Sequence, residues 1–251
     1  MDEETLKLLT DLHSNNQRQG PGSDTAFTQA LALSGIDTTA PLEIADIGCG
    51  TGSATIPLLQ HTKANVTAVD MLPAFLETLQ ANAAAAGVAD RLKTIAADMS
   101  DLPFADEQFA AIWAEGAIYS IGFETGVKAW NRFLKPGGVL VVSELTWTQT
   151  DAPKELSTHW EQEYPEVDVA SNKIGILETN GYSPIGYFVL TPDCWLDNYY
   201  EPIQASLDAF LERNGNSQQA RELAEAEKHE YELYKKYQNY VSYGVYIARK
   251  L

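Results

Sequence analysis

Ile44–Leu58 reads IADIGCGTGSATIPL, and this stretch decides the fold. Apolar residues run to Asp46, then Gly48, Gly50 and Gly52 make a tight turn, and a helix is expected to begin near Ser53. Glycines at such a turn let the backbone approach a ligand where any Cβ would clash. The unpaired N–H groups at the helix start favour a negative or polar group. In a doubly wound sheet the first strand-to-helix turn is where a nucleotide-like ligand binds. Dinucleotide dehydrogenases space their glycines as G-x-G-x-x-G, which would need glycine at position 53, where this chain has Ser53.

Outward from that turn, short apolar runs alternate with amphipathic segments. The runs at 42–47, 64–69, 92–96, 109–114 and 139–142 are β-branched and bounded by turn residues, as strands buried on both faces are. Between them, Pro73–Ala86 predicts a helix, with proline in its first turn and Gly87 at the position of a left-handed cap. Leu72, Leu76, Leu79, Ala83 and Ala86 form its apolar stripe. Strands alternating with helices imply parallel βαβ units, hence an α/β fold with helices on both faces. After Glu144 the rhythm changes. Residues 150–181 show helical stretches and aromatics but no strand, 184–190 and 241–249 predict two more strands, and a long polar helix covers roughly 217–240.

Three further segments extend the pattern of the glycine turn. VTAVDM places Asp70, with Met71 beside it, at the end of the second strand, where an acid can accept from both hydroxyls of a ribose. AADMSDLPF places Asp98 and Met99 after the third strand, and LKPGGVLVVSE leads into the fifth through Pro136, Gly137 and Gly138. Together with D-x-G-x-G-x-G from Asp46 to Gly52, these motifs resemble the class I (Rossmann-like) S-adenosylmethionine-dependent methyltransferases, small-molecule type, in the branch that is quinone-biosynthesis-like. The resemblance is firm over about residues 40–145, and the late strands extend it to the end of the chain. It implies a seven-stranded, mostly parallel sheet of order 3-2-1-4-5-7-6 with the last strand antiparallel and a helical cap insertion. It also implies S-adenosyl-L-methionine as cofactor and S-adenosylhomocysteine as product. Asp46, Gly48, Gly50, Gly52, Asp70, Met71, Asp98 and Met99 are then expected to bind the cofactor. Asp98 would accept from the adenine amino group while Met99 packs on the ring.

The chain is expected to form a single domain: N-terminal helices or lid over 1–40, cofactor-binding core over 41–149, a cap insertion carrying strand six over 150–240, and the last strand over 241–251. In AEGAIYSIGF, after strand four, Glu115 and Tyr119 are candidates for the catalytic end. Glu115 could equally bind the cofactor's amino group, and solvated-loop or core readings stand beside both roles. Arg18, the one Lys or Arg between Lys7 and Lys63, could pair with the methionine carboxylate or with an anionic acceptor. Glu144 and Trp147 are candidates for the pocket floor. The tyrosines and tryptophans of the cap are chiefly packing residues, and the histidines and Cys49 fall in no metal-ligand or nucleophile pattern.

The whole chain has 251 residues, 17 Lys+Arg against 35 Asp+Glu, and a net charge of −18. Such a field repels nucleic acid and anionic membrane surfaces. Two cysteines make no disulfide framework or cysteine-built zinc site. MDEETLKLL has neither the basic nor the apolar region of a secretory signal, and no stretch approaches the ~20 apolar residues that span a bilayer, so a cytoplasmic monomer or homodimer is expected. The acceptor is expected to be small and neutral or cationic. Quinone C-methylation, nicotinamide-dependent oxidoreduction and cofactor binding without catalysis are the competing readings.

Overall fold

In a computed structural model, which describes residues 3–14 and 16–251, eight strands form one sheet of order β3-β2-β1-β4-β5-β8-β7, with β6 paired to β5 off this path. The strands are β1 (Glu43–Ile47), β2 (Asn65–Asp70), β3 (Leu92–Ala96), β4 (Phe109–Ala114), β5 (Leu134–Trp147), β6 (Asp168–Val169), β7 (Tyr182–Val189) and β8 (Val241–Lys250). The first five are parallel; β8 runs antiparallel to both β5 and β7. The expected order therefore holds, with one addition. β6, which pairs Thr146 with Asp168 and Trp147 with Val169, lies where no strand was expected. Two residues are too few to carry any period. The Asp168 carboxylate holds them instead, accepting from the Val169 N–H at 2.7 Å and from Asn172.

The helices are α1 (Glu3–His13), α2 (Asp24–Ser34), α3 (Thr55–His61), α4 (Pro73–Ala85), α5 (Phe123–Asn131), α6 (Lys154–Glu163), α7 (Ala170–Thr179), α8 (Pro192–Trp195), α9 (Glu201–Arg213) and α10 (Gln218–Tyr237). Their ends follow local chemistry. The Ser23 and Ser217 hydroxyls accept the N–H groups of Ala26 and Ala220, starting α2 and α10. Pro73 opens α4.

Parallel strands sealed on both faces explain the apolar runs of the sequence. Ile44, Trp113, Val139 and Val141 face one layer with Phe27 and Leu58, whereas Ala45, Ile112, Leu140 and Val142 face the other with Phe123 and Trp130. β5 is longer than expected because Lys135–Gly138 forms an irregularity in it rather than its beginning. Phe109 pairs with Leu134, and the register resumes at Ala111 with Val139.

A smaller apolar cluster stands apart. Leu8 and Leu12 of α1 pack with Ile203, Leu207 and Phe210 of α9 and Ala220 and Ala224 of α10. Across it, Arg213 pairs with Asp11 at 3.2 Å. The N-terminal helix is thus built into the cap. Among the described residues no helix is long and apolar enough to cross a membrane.

Candidate active site

The carboxyl ends of β1, β2, β3 and β4 surround a cavity of about 430 Å³. Its floor is the glycine turn. The N–H groups of Gly48 and Cys49 both donate to the Val69 carbonyl, at 2.8 and 3.0 Å, so the turn folds back over the end of β2. Gly48 has φ +73°, and a Cβ there would lie 2.3 Å from the Cβ of Ala117 in the loop after β4. At Gly50, φ is +53° and a Cβ would lie 2.6 Å from Gln19 Oε1. Both positions need glycine for conformation, and Gly48 for room as well.

Asp70 braces this turn. One carboxylate oxygen accepts from the Gly50 N–H and the other from the Leu72 N–H, each at 2.9 Å. Burial raises its pKa above the usual carboxylate range, against the lowering effect of those bonds. Asp98 stands on the far side in an exposed turn, with one oxygen held by the Ser100 N–H and hydroxyl at 2.8 and 2.7 Å. These bonds lower its pKa. The Met99 carbonyl accepts from Trp130 Nε1 at 3.1 Å, and its methyl lies 3.5 Å from where a Cβ on Gly48 would be. Met71 is 58 % exposed at the rim.

The other end of the cavity is polar. Arg18 Nη1 lies 3.4 Å from Glu115 Oε2 and its Nη2 3.6 Å from Asp24, while Trp113 Nε1 donates to Glu115 Oε1 at 2.9 Å. Arg18, only 8 % exposed, thus joins the segment before α2 to the end of β4. The Gly116 N–H donates to the Ser143 hydroxyl at 2.7 Å, tying the loop after β4 to β5. Tyr119 lines the cavity from the short 3₁₀ turn that follows.

The cavity gathers Arg18, Gly48, Gly50, Asp70, Met71, Asp98, Met99, Glu115 and Tyr119 on its lining. Two other residues of the sequence motif stand behind the wall. Asp46, 1 % exposed, accepts from the Thr55 hydroxyl, and burial pushes its carboxyl up to about 7, with Glu115 and Asp70 adding to the rise. It anchors α3 to β1. Gly52 backs onto Leu79 of α4. Neither of the expected floor residues lines the cavity. Glu144 is buried beneath Tyr164, whose hydroxyl donates to it at 3.1 Å, and Trp147 faces a separate groove beside Ala152 and Val167.

Gln19 was not singled out in the sequence. Its Oε1 accepts from both the N–H and the hydroxyl of Thr51 at 2.9 Å, so the N-terminal segment roofs the cavity by holding the glycine loop. Its Nε2 donates to the carbonyls of His13 and Asn16. The one signal for it is its place between Arg18 and a Gly-Pro-Gly turn. Tyr243 was also missed. Its ring lies 3.1 Å from where a Cβ on Gly116 would be. Nothing local marks it within an ordinary strand pattern.

A sheet of this order with an acid at the end of β2 and a glycine turn after β1 defines a Rossmann-like methyltransferase fold. Residues 44–138 match the family described as Methyltransferase domain. "Methyltransferase GfsG" of Streptomyces halstedii is 28 % identical over 150 residues, 55 % of this chain and 54 % of that protein. "Ubiquinone/menaquinone biosynthesis C-methyltransferase UbiE" of Geotalea daltonii is 32 % identical over 106 residues, 41 % of this chain and 45 % of that one. The chain spans about half the length, or less, of the curated relatives it matches. Among solved structures, a SAM-dependent methyltransferase from Geobacter sulfurreducens, in complex with S-adenosyl-L-homocysteine, superposes with a TM-score of 0.85 at 20 % identity over 98 % of both chains.

Proposed function

We propose that the chain transfers a methyl group from S-adenosyl-L-methionine to a small, neutral or cationic acceptor, releasing S-adenosylhomocysteine. The observation that carries this reading is the cavity itself. An acid at the end of β2 and another after β3 face one part of it, and an Arg–Glu pair faces the other.

The residues present suit that cofactor. The two left-handed glycines leave a cradle that any Cβ would fill. Asp70, held by two backbone N–H groups, is oriented to accept from ribose hydroxyls. Asp98 has one oxygen held by Ser100, and in this reading the other meets the adenine amino group while Met71 and Met99 flank the ring. At the opposite end Arg18 would pair with the methionine carboxylate and Glu115 with the amino group. When bound, the cofactor supplies an electrophilic methyl on a sulfonium.

The chain then has to align the acceptor and exclude water. Both oxygens of Glu115 are already engaged, by Trp113 and Arg18, which suits holding a group rather than taking a proton. Tyr119 is placed to orient the acceptor. One sheet carries both ends of the cavity, which supports reading residues 1–251 as a single domain with a cap over 150–240.

Calorimetry on the full chain with S-adenosylhomocysteine and, separately, NAD tests the reading. S-adenosylhomocysteine is expected to bind and NAD not to. Binding of NAD alone would overturn it.

A further inference from the structure

We propose that Tyr164 and Glu166, in the insertion after β5, are positioning residues for the cavity, because together they hold the turn that carries Tyr119, Ser120 and Ile121 on its lining. The proposal rests on the methyl-transfer reading and assigns the placement of that wall to the insertion.

The turn itself is slight. The 3₁₀ segment Ile118–Ile121 ends at Gly122, where φ is +87°, and α5 begins at Phe123. Within it the Ser120 N–H donates to the Ala117 carbonyl at 3.1 Å and the Gly122 N–H to the Tyr119 carbonyl at 3.2 Å. The first N–H groups of a helix have no partner inside the helix. At α5 the insertion supplies one. Glu166 Oε2 accepts from the Phe123 N–H at 2.9 Å, and Oε1 lies over Gly122, 2.6 Å from where a Cβ would be. A carboxylate there also meets the positive end of α5. One acid thus fixes the junction between the turn and its helix.

Tyr164 holds the turn from the other side. Its ring meets Tyr119 edge-on with centroids 5.9 Å apart. Its hydroxyl donates to Glu144 Oε2 at 3.1 Å, and the other Glu144 oxygen accepts from the Leu145 N–H at 2.6 Å. A line of contacts therefore runs from the backbone of β5 to the lining of the cavity.

Both residues share one support. The Val167 N–H donates to the Tyr164 carbonyl at 3.1 Å, closing the turn that presents them. Lys173 of α7, only 1 % exposed, donates to the Glu166 carbonyl at 2.8 Å. Its ammonium stands over the rings of Tyr164 and Phe123, at 5.5 and 4.8 Å. What the chain contributes to methyl transfer is alignment, so contacts that set this wall act on the reaction without touching the reactants.

The test uses the full chain, with S-adenosylhomocysteine affinity measured calorimetrically at low temperature and hydrogen exchange read over residues 118–124. Glu166→Ala is expected to speed exchange at the Phe123 amide severalfold and to weaken S-adenosylhomocysteine by about threefold or more. Glu166→Gln, whose amide oxygen can still accept from Phe123, should restore both. Tyr164→Leu should weaken binding more than Tyr164→Phe, which keeps the ring against Tyr119. A role in stability alone would lower the thermal midpoint of the alanine variant and leave its low-temperature affinity unchanged. That outcome, or an alanine effect that glutamine does not rescue, would overturn the proposal and leave methyl transfer standing. Failure of the unaltered chain to bind S-adenosylhomocysteine would overturn both.

Discussion

At the β1–β2 end the cavity wall is mostly backbone: a glycine turn folded onto the Val69 carbonyl and braced by the two oxygens of Asp70. At the other end the wall is side chain, contributed by Arg18 and Gln19 before α2 and by Glu115 and Tyr119 in the loop after β4. The first wall depends on a few residues close in sequence. The second depends on how segments some hundred residues apart meet, as Arg18 and Glu115 do. A backbone wall fixes what kind of molecule it can hold, and a side-chain wall can be rewritten one residue at a time.

The widest break between the two regions is expected from Phe210→Ala. Removing a fully buried aromatic ring from the cap cluster should cost about 3–5 kcal/mol of stability, seen as a lowered thermal midpoint. Affinity for S-adenosylhomocysteine at low temperature should change little; equal loss of both would show that the cap and the cavity floor fold as one unit. Gly48→Ala strikes the other region. The left-handed backbone and the overlap with Ala117 should together cost about 2–4 kcal/mol, read as loss of S-adenosylhomocysteine binding in calorimetry. Asp70→Ala is expected to weaken the same binding by ~1–3 kcal/mol, through lost acceptance of hydroxyls and a loosened Gly50 N–H. Unchanged affinity would take Asp70 out of the site. Gln19→Ala removes two bonds to Thr51 and should cost ~0.5–1.5 kcal/mol of that affinity.

The last test is a slope shared by both regions. Burial raises Asp46, Glu144 and Glu230 each to about 7, from ordinary values of 3.8, 4.5 and 4.5. A raised carboxyl binds its proton more tightly in the folded chain. Its contribution is complete below the unfolded pKa and lost as pH rises through the folded one. The thermal midpoint should therefore fall between about pH 4 and 7, and Glu230→Gln should flatten part of the fall. A midpoint rising through that window would contradict the burial of these groups.

How much of this was legible in the sequence follows the same division. Gly48, Gly50, Asp70 and Asp98 were found because a backbone turn at a strand end has a fixed spacing, and the sheet order followed from the resemblance those motifs carry. Asp46 and Gly52 belong to the same motif, yet one holds α3 and the other admits Leu79, so spacing alone does not separate wall from scaffold. Tyr243 carries no local signal; its strand reads as an ordinary segment, and long-range packing alone brings it against Gly116. β6 escaped notice because two residues have no period.

The Gly116–Ser143 bond has a consequence for how such a molecule can change over time. Ser143 supports the loop after β4, while the next residue, Glu144, is turned to the opposite face of β5 and receives the Tyr164 hydroxyl. Neighbouring positions of one strand thus serve separate masters. A substitution at 144 alters the cap side and leaves the support of Gly116 in place, but a slip of one residue in β5 would exchange the two. Nine paired residues along β8 hold β5 against that slip, which leaves each face free to drift in sequence on its own.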